Sequence, residues 1–268
     1  MLMLNTTYTF TLDQKKKIHF LREKIENSND FNIGSEDIFL SKFLFYSNWD
    51  VERAFENIRR YYDFKAEHPK WLAHHTVEYF RGQFLDIKAK FLMPTPDKMG
   101  RPIVIFKSVD CFNKYPNYLQ DLIEMDDLVF ESLLLIPQVQ ERGITIIFDI
   151  NGITRNFLPM LSPRLGRLIN EKNKVLPFSQ RYIHIIQSGF LMNAASSMIM
   201  PFLSRDFKEH IFTHDGKNFN KLRDMIGYEY LPAEYGGPIT NQLNVDVLLN
   251  HLLKHSEYLL KLQTYHKK

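Results

Sequence analysis

A single cysteine, Cys111, stands among the 268 residues, so the chain can form neither an internal disulfide nor a cysteine-based zinc centre, and it suits a reducing compartment. No apolar run is long enough to span a bilayer. Met1 to Phe10 lacks the basic segment and cleavage pattern of a secretory signal. Membranes, if met at all, are expected to be met from the cytoplasm. Excess charge is small at +3, and the one dense basic run, Lys15-Lys16-Lys17, reads as a solvated helix face, so nothing calls for nucleic acid. There is no glycine-rich phosphate loop and no nucleophile elbow. The histidines make no spaced set with carboxylates, and adjacent His74 and His75 point to different sides, so neither metal nor cofactor is expected. Asp149 ends a strand, where α/β enzymes often place catalytic groups, but Asn151-Gly152 after it marks a turn. Glu124, Asp126 and Asp127 read as a solvated helix face. The residues make no positive case for an enzyme.

What is abundant is phenylalanine, at 22, with methionine at 10. Such residues fill an aromatic core or line an apolar cavity equally well. Ile18, Leu21 and Ile25 share one face of a helix starting near Asp13. Ser35 is a candidate cap for a second helix burying Phe39, Leu40, Phe43 and Leu44. Asp50 caps a third, carrying Val51, Ala54, Phe55, Ile58, Tyr61 and Tyr62 at helical spacing until Pro69. Beyond Trp71 the pattern changes. Asp97 to Pro102 is a turn before a strand at Ile103 to Phe106. A long helix from Leu119 to Leu134 precedes a strand at Ile144 to Phe148. Leu161, Leu165, Leu168 and Ile169 mark another helix. Strands at Tyr182 to Ile186 and about Ile211 to Thr213 follow, then a last helix from about Asn244. Alternating strands and helices predict an α/β fold with parallel pairing and right-handed crossovers. The expected division is a helical unit at 1–70, an α/β domain at 71–243 and a C-terminal helix at 244–268 packed on the body.

Residues 188 to 203 do not fit an amphipathic surface helix, because apolar side chains fall on nearly every face. Two readings stand: a central core helix, or a lid over an apolar cavity, hinged near Gly189 and Pro201, that also lies on a bilayer.

Five pieces of sequence, in order, resemble the CRAL-TRIO lipid-binding family, in its tocopherol-transfer and retinaldehyde-binding branch. Asp37 to Pro69 is similar to its N-terminal helices, and Asp97-Lys98-Met99-Gly100-Arg101-Pro102 to its opening hairpin. Gly143 to Gly152 resembles a strand ending in Asp-x-x-Gly. Met198 to Leu203 resembles the end of its gate helix, and Leu231-Pro232-Ala233-Glu234-Tyr235-Gly236-Gly237 its closing signature.

The resemblance implies a mainly parallel sheet under a hydrophobic cavity closed by a gate helix, and intracellular binding and transfer of a small hydrophobic lipid. The alternative is a ligand-gated regulatory module that moves no lipid in bulk. Ile144, Phe148, Ile183 and Ile185 are the implied floor, with Ile153, Phe157, Leu161, Leu165 and Ile169 as walls. Phe190, Leu191, Met198 and Phe202 belong to the gate. Retinoid-, tocopherol- and carotenoid-like ligands, sterols and phospholipids stay open. Tocopherol is disfavoured because Asp126 and Phe130 stand where the branch has headgroup-binding serines. Phosphatidylinositol bisphosphate is a further implied partner, through Arg181, Lys208 and His210, with transient contact at the cytoplasmic membrane surface. Ser179, Asp206 and Phe45-Tyr46-Ser47 replace basic positions of that cleft, so the implied preference is weak.

Overall fold

The structure, a computed structural model, describes residues 9–187 and 197–268. Its first helix, α1 (Leu12–Ser28), begins at a reciprocal capping box between Thr11 and Gln14 and buries Ile18, Leu21 and Ile25. A two-residue strand, β1 (Phe31–Asn32), leads to α2 (Asp37–Tyr46). Glu36, not the expected Ser35, occupies its N-cap position, and makes no capping hydrogen bond there. Its carboxylate meets Lys261 instead. In α3 (Val51–Glu67) the Asp50 side chain accepts from the Arg53 N–H, as its spacing predicts. That helix stops before His68-Pro69, since the residue preceding a proline avoids the helical region. The three helices pack on one another through their buried faces.

A helix that the sequence reading passed over follows, α4 (Val77–Ile87), capped by Thr76 and ended by Lys88 at φ 49°. Val77, Phe80, Phe84 and Ile87 form its buried stripe. Five strands then build one sheet: β2 (Lys90–Leu92), β3 (Ile103–Lys107), β4 (Ile144–Asp149), β5 (Arg181–Gln187) and β6 (Ile211–Asp215), adjacent in that order. The β2–β3 pair is an antiparallel hairpin, and the other pairs are parallel. Asp97 tightens the hairpin by accepting from the backbone N–H groups of Met99 and Arg101, around Gly100 at φ +76°.

Between β3 and β4 run α5 (Tyr118–Leu133) and α6 (Pro137–Arg142), and between β4 and β5 runs α7 (Pro163–Val175). Parallel strands added one beside the next, joined by right-handed crossovers, place their connecting helices on one face of the sheet. That arrangement positions the site. The reverse face is closed by the helix Asn220–Ile226 and the segment after it: the Lys98 N–H donates to the Ile226 carbonyl at 3.0 Å, and the Tyr235 hydroxyl to Asp149 at 2.9 Å.

The expected single C-terminal helix is two, Val245–Lys254 and Ser256–Gln263, broken at His255. The first packs on α4, β2 and α5. The chain then ends in β7 (His266–Lys267), antiparallel to β1 with Phe31 opposite Lys267. The tail is thus hydrogen-bonded to the N-terminal helical unit as well as packed on the α/β body.

Candidate functional site

Directly paired residues of neighbouring strands point to the same face of a sheet. One row joins Val104, Ile146, Ile183 and Ile211, and the next joins Lys90, Phe106, Phe148 and Ile185. Both rows face α5 and α7, and a cavity of about 420 Å³ opens above them. Its walls are Tyr118, Leu122 and Phe130 from α5, and Leu161, Leu165 and Ile169 from the entry into α7 and its first turns. Ile199, Met200, Leu203 and Phe207 line it from the chain leading to β6. Phe106 and Phe148 stack at 5.1 Å, Phe130 lies 5.4 Å from Phe106, and Phe178 stands 6.0 Å beyond Phe130. These rings, from four separate segments, make a continuous aromatic shelf.

Of the residues that the sequence points to, Phe148, Ile153, Phe157 and Leu161 line this cavity, as do Leu165, Ile169, Ile183 and Ile185. Ile144 does not. It has the right parity but pairs with Arg181 at the strand start and is fully buried, while Ile146 takes the floor position. Met198 is also displaced from the expected site, being 47% exposed. Phe202 is not on the lining either; its ring lies 4.8 Å from the Arg167 guanidinium. Their neighbours Ile199 and Met200 face inward instead, because residues 197–199 are helical and Met200–Phe202 form a tight 3-10 turn that rotates successive side chains. Phe190, Leu191 and most of the expected gate helix lie outside the described residues. Phe106, Phe178 and Phe207 were missed as lining residues; strand parity could have found Phe106, no local signal marks the other two, and Phe130 stands at a position that only the family resemblance pointed to.

The polar groups of the cavity are largely paired. Lys90 and Asp126 form an ion pair, with the Lys90 ammonium 5.1 Å from the Phe106 ring. Lys172 reaches Asp127 at 3.0 Å. Burial opposes ionisation of Asp127, yet Lys172, Lys65 and the Ala73 N–H hold its pKa below the ordinary value. Glu124 is buried too: burial again opposes its ionisation, and the backbone N–H of His74 and the His75 side chain hold it below the usual carboxylate range. The expected solvated acidic face is therefore a set of partnered carboxylates, two in ion pairs and Glu124 in hydrogen bonds, since α5 presents them to the neighbouring segments.

Arg181, Lys208 and His210, implied as one basic cleft, point different ways. The Arg181 guanidinium turns into the cavity and donates to the carbonyls of Asn173 and Leu176, at 2.6 and 3.2 Å. Those carbonyls end α7, where Pro177 has no N–H to offer Asn173. Burial lowers the Arg181 pKa to about 10. His210 packs its ring 5.3 Å from Tyr182, on the opposite face of β5, and its Nδ1 lies 2.9 Å from the Asp206 carbonyl. Lys208 is half-buried on the short helix Arg205–Lys208.

A family model described as CRAL/TRIO domain matches residues 88–237. The chain belongs to the CRAL/TRIO family. Members of this family bind and transfer small lipophilic ligands. The CRAL/TRIO match begins just before β2 and ends at Gly237, within the expected 71–243. Clavesin-2 of Mus musculus is 25% identical over 210 residues, which cover 76% of this chain and 62% of that protein. Clavesin-1 of Rattus norvegicus is 24% identical over 217 residues, or 76% of this chain and 58% of that one. The chain thus spans less than two thirds of these relatives' length. A solved structure described as the crystal structure of Sfh5 superposes with a TM-score of 0.48 at 11% identity, covering 96% of this chain and 99% of that one. No helix among the described residues is long and apolar enough to cross a membrane.

Proposed function

We propose that this CRAL/TRIO protein holds one small hydrophobic lipid in the cavity above its sheet and carries it between membranes, from the cytoplasmic side. The observation that supports this most is the cavity itself: about 420 Å³, with an aromatic shelf and an isoleucine floor facing it. Apolar side chains that face open space forgo contacts, and a ligand covering them restores about 25 cal/mol per Å² of apolar area removed from water. The volume falls toward the lower end of the range for small-molecule pockets, about 300–1,000 Å³. A compact or single-chain lipid of the retinoid-, carotenoid- or fatty-chain type suits it. With Arg181 turned inward, a phosphoinositide preference at the membrane would fall to Lys208 and His210 and be weak.

Organic extraction of the purified protein, followed by mass spectrometry, tests the reading. A stoichiometric apolar ligand, together with transfer of that ligand between donor and acceptor vesicles, is the expected result. A bound ligand without transfer would leave a ligand-gated regulatory module instead. A protein that neither retains nor takes up apolar molecules would refute both.

A further inference from the structure

Among the described residues four cations line the cavity, and three of them meet a carboxylate: Lys90 meets Asp126, Lys107 meets Glu234 and Lys172 meets Asp127. Arg181 does not. Its partners among the described residues are two backbone carbonyls, the Phe178 ring at 5.6 Å and the nearby Tyr46 hydroxyl, none of them a carboxylate. A guanidinium carries five N–H donors in a planar fork, and these two carbonyls use only two of them. Arg181 is half-buried at the cavity wall; a cation partly withdrawn from water without a counter-charge is costly, and the partial negative charge of a helix C-terminus offsets only part of that cost.

Resting on the lipid-cavity reading, we infer that the ligand is a single-chain amphiphile with a carboxylate, which Arg181 binds at the β5 start while the chain lies along the sheet. A carboxylate matches the guanidinium fork with two parallel charge-assisted hydrogen bonds. Ile183 and Ile185 follow Arg181 on the same face of β5, and the next strands offer Phe148 and then Phe106. From Arg181 to Ile185 alone, at about 3.3 Å per residue, the apolar path is roughly 13 Å long. At its far end the Lys90–Asp126 pair is already neutralised, so it adds no second anion site. The cavity therefore has one acid-binding end and one apolar run.

Displacement of an uncharged fluorescent hydrocarbon probe from the purified protein provides the test. Hexadecanoic acid should displace it at a concentration about tenfold or more below that needed for hexadecanol or methyl hexadecanoate, the factor expected of a hydrogen bond to a charged group. In Arg181→Met the ratio of acid to alcohol affinity should fall to about one, and Arg181→Lys, which keeps the charge but loses the fork, should lie between. An equal ratio in the unaltered protein overturns the inference, and that comparison decides even if Arg181→Met fails to fold. So does an acid preference that survives in a folded Arg181→Met protein. Soluble inositol trisphosphate should leave the bound acid in place; if it competes, Arg181 serves an external phosphate and the inference falls. Failure of the probe itself to bind would instead remove the lipid-cavity reading on which this rests.

Discussion

On the face of the sheet toward α5 and α7, Ile146, Phe148, Ile183 and Ile185 end at open space. On the reverse face, Thr145, Ile147, His184 and Ile186, each no more than 1% exposed, meet packed protein. The two sets alternate along the same two strands. The reverse face also carries its own polar network. Buried Asp97 accepts from Arg101 Nε at 2.7 Å and from the Thr145 hydroxyl at 2.6 Å, and Arg101 lies over the Tyr182 ring at 3.8 Å. His184 Nδ1 and His214 Nε2 are 3.0 Å apart. Among the described residues, one face is packed against protein along these strands, whereas the other borders a cavity lined by apolar side chains and Arg181. Strand alternation lets a protein build a rigid support and a binding surface from one set of strands, and substitutions on the two faces should have separable effects.

The largest effect expected is on binding. Phe148→Asp, or Ile183→Asp, places a charge at an apolar cavity wall and should abolish uptake of an apolar probe, because the carboxylate keeps its water only by excluding the ligand. Circular dichroism should show the fold retained; global unfolding in both variants would mean that this face is solid core and would erase the contrast. Next in size is Asp97→Ala on the reverse face. Loss of this carboxylate leaves Arg101 buried without its partner, which costs about 3–5 kcal/mol. Urea unfolding should register that loss while the folded fraction binds the probe normally.

A pH effect, comparable with the loss at Asp97 when summed over its window, also belongs to the reverse face. Burial, and then mutual charge, holds His184 at about 3, and burial holds His214 at about 4, against an ordinary 6.5. Between pH 6.5 and about 4 the unfolded chain therefore binds protons that the folded chain refuses. Stability should fall as pH falls through this window, by up to about 1.4 kcal/mol per unit for each histidine, and should not change on this account at higher pH. His251, held at about 4 by burial, adds to the slope. Urea unfolding across the window checks this, and His214→Phe should make the slope shallower by removing one of these histidines. A slope unaltered in that variant would assign the acid sensitivity elsewhere. The smallest effect is a paired one. Ile147→Val should cost about 0.5–1.5 kcal/mol, and Ile185→Val less, because Ile185 already borders open space. Equal costs would mean that the two faces are equally packed.

Much of the fold could be read along the chain, because local pattern carries it. The short apolar runs Ile144 to Phe148 and Tyr182 to Ile186 marked two strands, and Asp50 and Pro69 marked the ends of α3. Parity also separated Ile183 and Ile185 from His184, and the structure places them on opposite faces. The helix α4 was visible in principle, through Val77, Phe80, Phe84 and Ile87 behind the Thr76 cap, and was overlooked. By contrast, Asp126 and Asp127 looked like solvated charges because their partners Lys90 and Lys172 lie 36 and 45 residues away. Periodicity reports which face of a helix is apolar, and is silent about which distant cation meets a carboxylate on it.

The order of hydrophobic and polar residues alone thus marked β3 to β6 and their parallel pairing, since backbone geometry allows few periods and crossovers take one hand, whereas the short antiparallel β2 went unread. Only the tertiary structure decided which shared face stays hollow. Ile144 and Ile146 have the same parity, yet only Ile146 reaches the cavity, because Ile144, at the very start of β4, is fully covered by packed neighbours. The direction of Arg181 was also a tertiary decision. Pro177 leaves the Asn173 carbonyl without a backbone donor, and the end of α7 packs close enough for the guanidinium to supply one. Which groups meet there depends on segments brought together in space, and a one-dimensional pattern carries no record of that distance.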